Sequence, residues 1–561
     1  MRKILLACFC LAASAAYNQS FYNPLFIPPT LSGTTFNLNV APAVHQFFNS
    51  VNTPTYGING TYLGPTLLMN QGDSVAINVT NNLNETTTMH WHGMHVPAWT
   101  DGGPHTEIPA GTTWQIGYKV MNAASTNWYH PHTHMSTGNQ VYMGLAGILI
   151  VKDTVESQLN LPRTYGTDDF PLVLQDRSFN SNGTFFIEGL ADSMLVNGTP
   201  HAYLDCPAQV VRLRLLNGSN VRTYNIGFSD NRNFYVIASD GGLLAQPYQT
   251  NRLLITNGER YEILLDLTNS QGNTFNLMSY ASQFAGNEPG GSGMMNGNSP
   301  LNGVDFGIMQ LNVVAPTGNP VTQVPASLIT VNPLQAANAN LTRYKSIDGM
   351  GMFTNMANFS FNNTPFNMMF INDTIVLNNT EIWQFTNNSN LAHPIHIHDI
   401  EFYVLSRNGN APPAYEGGLK DVFYIKPNDV VRVIAKFEDF ADDTVPYMYH
   451  CHNLMHEDNG MMAQFIVVSS LNSIGNNTAT DLKPAVFPNP AGDFVNLQLA
   501  DAIIQNTAEI IVTDNLGRQV LNTSTNETQL QLKTVGWNNG LYTITVRSGA
   551  MLWHSKLLVN H

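Results

Sequence analysis

Residues Tyr447 to Met462 read YMYHCHNLMHEDNGMM and gather His450, Cys451, His452, His456 and Met461 into one short stretch. A thiolate with two imidazoles and a weak axial thioether is the donor set of a blue-copper electron-transfer centre. Cys451, His456 and Met461 supply three of those donors, so one more histidine must come from elsewhere. If the segment is extended, neighbours alternate faces, and His450 and His452 point away from Cys451 toward another metal. One sulfur would then be wired through a short covalent path to two imidazoles of a second centre. A zinc site or a plain histidine-rich loop is the competing reading, and three further clusters weigh against it.

Those clusters are His90-Trp91-His92-Gly93, His130-Pro131-His132 within WYHPHTH, and His393-Pro394-Ile395-His396-Ile397-His398. On a strand, residues two apart share a face, so each H-x-H pair can enter one cavity, and Gly93 permits close backbone approach. A single such pair is a weak signal. Four pairs yield eight imidazoles and leave His393, Cys451, His456 and Met461 as a separate four-donor set. Eight imidazoles suit three metals, two held by three rings each and one by two. Reduction of O2 to water takes four electrons, which four one-electron copper centres can store.

Strands must hold these donors. Ser74–Val79 alternates, with Val75, Ile77 and Val79 on one face. Thr113–Val120, Leu145–Val151, Val210–Leu216, Tyr261–Leu267, Glu381–Thr386 and Val430–Phe437 are further strand candidates. Long helical periodicity is absent, which points to β-sandwiches. A chain of 561 residues exceeds one core. It divides into a secretory leader over 1–16, sandwich segments at 26–155, 165–316 and 328–470, a polar linker at 471–482 and a small β module at 483–561. The middle segment has few histidines and reads as a spacer or cleft wall.

The balance is acidic, with 24 Lys and Arg against 39 Asp and Glu and a net charge of −15. No basic stripe suits nucleic acid, and no later stretch is long and apolar enough to span a membrane. Leader cleavage removes Cys8 and Cys10. If Cys451 binds metal, Cys206 has no partner and is read as a small buried hydrophobe.

The motifs HWHG, HPH, HPIHIH and HCHNLMHEDNGMM resemble the multicopper oxidases, over roughly residues 40 to 470. The resemblance implies an all-β fold of three cupredoxin-like Greek-key β-sandwich domains, with a trinuclear cluster between the first and third. It implies four copper ions. Type 1 copper would use His393, Cys451, His456 and Met461, and type 2 copper His90 and His396. One type 3 copper would use His92, His130 and His452, the other His132, His398 and His450. Asp101 and Glu457 match acids near the cluster, either relaying protons or orienting histidine N–H groups. His95, His105 and His134 fall outside the donor sets, and Asp458 closes a turn.

The implied activity is laccase-like: one-electron oxidation of small phenolic, aromatic or other reducing donors, coupled to reduction of O2 to water. Cuprous oxidation of Cu(I) is the alternative. Met350, Met352, Met356 and Met368 offer thioethers for it, but Asn367, Ser389 and Leu391 stand where cuprous oxidases carry acids or a thioether. A non-enzymatic cupredoxin scaffold or copper-binding protein is the rival of another class.

The tail has its own resemblance. VFPNPAGDF, DNLGRQV, NGLYTITV and KLLVNH are similar to the C-terminal sorting domain of the type IX secretion system. This implies a small C-terminal β-sandwich, passage through the periplasm, the secretion machinery as partner, and a secreted or surface-attached product.

Overall fold

Alternating apolar residues at Val75, Ile77 and Val79 do line one face of a strand, Ser74–Asn81, whose burial alternates along its first six residues. The computed structural model describes residues 20–353, 358–470, 485–499, 507–514, 518–548 and 551–561. The leader, Met356 and the linker at 471–482 lie outside them. Strands dominate, and among the described residues the longest helix is the seven-residue Thr137–Met143. The all-β expectation holds. No helix among the described residues is long and apolar enough to cross a membrane.

The chain forms two units, Met1–Ser469 and Ser470–His561. In the first unit, one sandwich pairs a four-stranded sheet of Val51–Ile58, Thr35–Phe48, Ser74–Asn81 and Thr113–Lys119 with another of Thr30–Ser32, Thr66–Asn70, Gly147–Lys152 and Ser125–Tyr129. Phe36, Ile77, Trp91 and Leu149 fill the space between them. The second sandwich packs a six-stranded sheet on an eight-stranded one around Leu213, Phe228, Ile263 and Cys206. Cys206 is fully buried, as a small hydrophobe should be. Residues Asn23–Pro24, ahead of the first sandwich's strands, pair with Ala202–Tyr203 of this second sandwich.

The third sandwich carries five strands in each sheet. One sheet orders Asp373–Val376, Met462–Val468, Asp442–Cys451, His393–Ile397 and Val422–Ile425 side by side, which places two donor-bearing strands next to each other. In the second unit, a three-stranded and a four-stranded sheet enclose Val495, Ile510, Ile544 and Leu557.

Candidate metal centres

The smaller of two donor clusters lies inside the third sandwich. Antiparallel pairing sets Ile395 opposite Cys451, which brings His393 near the thiol. The short helix Leu454–Asp458, capped by Asn453 on Met455 N, returns His456 to the same sulfur. Cys451 Sγ lies 3.5 Å from His393 Nδ1 and 3.7 Å from His456 Nδ1. All three, with Met461, are buried. The Phe359 ring sits 4.8 Å from His393 and 4.6 Å from His456, and Phe353 stacks on His456. The outward nitrogens are held as well. His393 Nε2 meets Ser389 Oγ at 2.8 Å, and His456 Nε2 faces the Asn453 amide at 3.4 Å. Burial holds His456 at about 3, and burial with the neighbouring ring keeps His393 well below the usual range. Burial also pushes the Cys451 thiol up. The pocket thus presents two neutral imidazoles and a thiol whose proton a bound metal must displace.

The larger cluster lies where the first and third sandwiches meet. His90 and His130 bridge through their backbones, N to O at 2.8 and 3.1 Å, and His396 is paired opposite His450. Ring atoms of His90, His92 and His130 lie within 4.8 Å of one another, as do those of His90, His396 and His398, and of His132, His398 and His450. The His132 and His450 Nε2 atoms face each other at 3.1 Å. The His452 ring stands 5.0 Å from His92 and 5.4 Å from His130. All eight predicted imidazoles are therefore gathered and buried.

Their hydrogen bonds test the fit to metal. Nδ1 donates to Asp101 O in His90 (2.8 Å), to Pro131 O in His130 (2.7 Å), to Asp421 O in His396 (2.8 Å) and to Asp101 Oδ2 in His398 (2.8 Å). In each of these rings Nε2 has no partner among the described residues, and the same holds for both nitrogens of His452. Such buried orphans are costly unless something fills them. Metal ions suit them, since ligating histidines fix one nitrogen on a protein acceptor and offer the other. Burial first, and neighbouring imidazoles next, hold His92, His130, His396, His398 and His452 well below the ordinary histidine range. The rings are neutral and their lone pairs available.

The two singled-out acids each span two rings. Asp101 lies against His398 and, at 3.4 Å, His90. Glu457 stands 3.4 Å from His132 Nδ1 and 3.2 Å from His450 Nδ1. Burial alone would raise Glu457, but His132 and His450 hold it down to about 2.

Several expectations need correction. His90 and His92 do not share a strand: after the His90 bridge the chain turns, with Met94 N bonding Trp91 O and Gly93 at φ 88°. The rings still converge, because the turn itself aims His92. Asp458 does not close its own turn. It accepts from Thr137 N and Gly138 N at 2.9 Å, joining the third sandwich to a helix of the first. His95, His105 and His134 belong to no donor group. His95 lies between Asp399 and Asp439, His105 bonds Gln464, and His134 packs on Phe366. Met350 and Met369 are exposed.

The middle sandwich is more than a spacer. Gly258 packs so closely on His452 that an added Cβ would lie 2.8 Å from its ring. Arg260, two residues on, grips Asp421, whose Oδ1 lies 3.1 Å from His92 Nε2. Sequence reading passed over both residues. The only available signal was their charge beside apolar strands, in NGERYEILLDL and LKDVFYI.

Comparison with known proteins agrees with this geometry. Multicopper oxidase family profiles match residues 39–156, 161–295 and 332–470, and a secretion-system C-terminal sorting domain matches residues 485–560. That domain directs the chain to secretion or the cell surface. A Staphylococcus haemolyticus protein, "Multicopper oxidase mco", is 33% identical over 77% of this chain and 88% of its own length. A Pectobacterium atrosepticum protein, "Cell division protein FtsP", is 32% identical over 82% and 95%. A solved laccase-like multi-copper oxidase from Ochrobactrum sp., with oxidase activity towards lignin model compounds and lignosulfonate, shares 34% identity and a TM-score of 0.71. It covers 79% of this chain and all of its own.

Proposed function

This chain belongs to the multicopper oxidase family, and from that premise we propose that it is a laccase-like oxidase using four copper ions. His393, Cys451, His456 and Met461 would hold the type 1 copper, and His90 with His396 the type 2 copper. His92, His130 and His452 would hold one type 3 copper, and His132, His398 and His450 the other. Bound copper would supply the one-electron redox chemistry that joins donor oxidation to four-electron reduction of O2 to water. One observation carries this reading: Cys451 Sγ faces His393 and His456 while its chain neighbours His450 and His452 reach the eight-ring cluster.

The protein's own groups have distinct tasks. Ser389 and Asn453 fix the rings of His393 and His456, while Phe353 and Phe359 exclude water from them. Asp101 holds the Nδ1 proton of His398 and so turns its Nε2 inward, while His450 Nδ1 meets Cys451 O with Glu457 3.2 Å away. Glu457 is also the group we assign to passing protons toward reduced oxygen, because it is a carboxylate within reach of two cluster rings.

The aromatic lining of the type 1 pocket and the missing acids at Asn367 and Ser389 favour small phenolic or aromatic donors. Exposed Met350 and Met369 favour Cu(I) as the alternative donor. Relatives named for cell division raise a copper-free scaffold as the rival class, and the buried, unpartnered nitrogens of His90, His92, His130, His396, His398 and His452 speak against it. Oxygen consumption by copper-loaded protein, measured with Cu(I) and with a small phenol, separates these readings. Preference for the phenol supports the proposal. A strong preference for Cu(I) overturns the donor ranking, and fewer than four tightly held coppers with no oxygen uptake overturns the enzyme.

A further inference from the structure

Three sandwiches meet at one guanidinium. Arg260 opens the strand Arg260–Asp266 of the second sandwich and is fully buried. Its Nε donates to Thr126 O at 3.0 Å and its Nη2 to Asn127 Oδ1 at 3.1 Å, both in the first sandwich. Nη1 reaches Gly258 O at 3.0 Å within its own sandwich. Toward the third, Nη1 and Nη2 donate to Asp421 Oδ1 and Oδ2 at 2.6 and 2.5 Å. Asp240 braces the pair: its Oδ1 accepts from Arg260 N, and its Oδ2 from Asp421 N and Lys420 Nζ.

Beyond this grip lies His92. Rings of His90, His130, His396 and His398 engage protein acceptors through Nδ1 and leave Nε2 unpartnered. His92 is reversed. Its Nε2 meets Asp421 Oδ1 at 3.1 Å and its Nδ1 has no partner among the described residues. The hydrogen bond at one imidazole nitrogen decides which nitrogen is left for metal. Gly93 makes the arrangement possible. A Cβ there would fall 2.4 Å from Arg260 Nη2 and 2.8 Å from Asp421 Oδ2.

We infer that Arg260 is a positioning residue of the cluster: its fork fixes the Asp421 carboxylate, which keeps the proton of His92 on Nε2 and frees Nδ1 for copper. The inference rests on the copper assignment proposed above. A monodentate cation cannot replace the fork, because two oxygens must be held for one of them to face His92. The middle sandwich thereby contributes to a site whose ligands all lie in the other two.

Nitrogen-15 NMR of histidine-labelled, copper-free full-length chain reads the tautomer directly. Wild type is expected to carry the His92 proton on Nε2, and Arg260→Met to shift it wholly or partly to Nδ1. On copper loading, Arg260→Met should lose the near-ultraviolet absorption of the coupled type 3 pair, with at least about tenfold weaker copper retention there. The blue type 1 absorption should persist, which a general collapse of the fold would not allow. Should Arg260→Met fail to fold, Arg260→Lys, which keeps the charge but not the fork, must show the same tautomer shift. Wild-type His92 protonated on Nδ1, or variants with an unchanged tautomer and an intact coupled pair, would overturn the inference. Wild type that takes up no copper would sink the proposed function instead, and the copper-free spectra would still judge Arg260.

Discussion

The two donor clusters differ most in what surrounds them. Around Cys451 the neighbours are Phe353, Phe359, Leu391 and Met461, and the outward ring nitrogens meet a hydroxyl and an amide. Around the eight-ring cluster stand Asp101, Glu457, Asp421 and Arg260, all buried. A centre that only passes single electrons needs fixed donors in a dry, weakly polar pocket. A centre where oxygen takes up protons needs carboxylates within reach. The smaller cluster lies within one sandwich, and groups from all three surround the larger one.

The sharpest way to break this contrast is at Cys451, whose chain neighbours His450 and His452 reach the larger cluster. Cys451→Ser should abolish the blue absorption and reduce donor oxidation to background, while the cluster rings still take up copper. A fully blue, active Cys451→Ser protein would refute the assignment of Cys451 as the link. At the charged site, Glu457→Gln removes a carboxylate but keeps the shape. Oxygen consumption should fall by about 100-fold with the blue band intact, and wild-type turnover would reduce Glu457 to a merely orienting group. On the dry side, Phe353→Ala should cost about 3 kcal/mol of stability in chemical denaturation. It should also raise kcat/KM several-fold for bulky phenols relative to small ones, and an unchanged ratio would remove Phe353 from donor selection.

The smallest effect lies at the rim. His95 of the first sandwich sits between Asp399 and Asp439 of the third. Burial alone would lower it, but the Asp399 carboxylate, with Asp439, raises it to about 10. A raised cation contributes stability that is complete below its unfolded value near 6.5 and disappears as pH climbs through about 10. His95→Gln should therefore be less stable by about 2 kcal/mol at pH 6 and match wild type above pH 10, with copper content unchanged. A pH-independent difference would show that His95 acts through packing.

Much of this was legible in the chain. Alternation at Ser74–Val79, Glu381–Thr386 and Val430–Phe437 marks strands within a residue or two of their ends, because a half-buried strand has no other way to face core and solvent. The candidate donors were equally readable, since few side chains bind copper and those here recur as H-x-H pairs around one cysteine. The turn at Gly93 was not, because the bridge from His90 to His130 is made by backbone from a distant segment. Asp458 misled for the same reason: its partners, Thr137 and Gly138, lie more than 300 residues away.

The sequence by itself determined which side chains are candidate metal donors, that the fold is built of strands, and that the tail is built for export. Tertiary structure alone decided which nitrogen of each ring is free, which acid holds which ring, and that Arg260 of the histidine-poor middle sandwich stands behind His92. Ligand chemistry is a property of one side chain and travels with it. Ring orientation and tautomer depend on the partner across an interface, and that partner is chosen only when separately folded sandwiches meet.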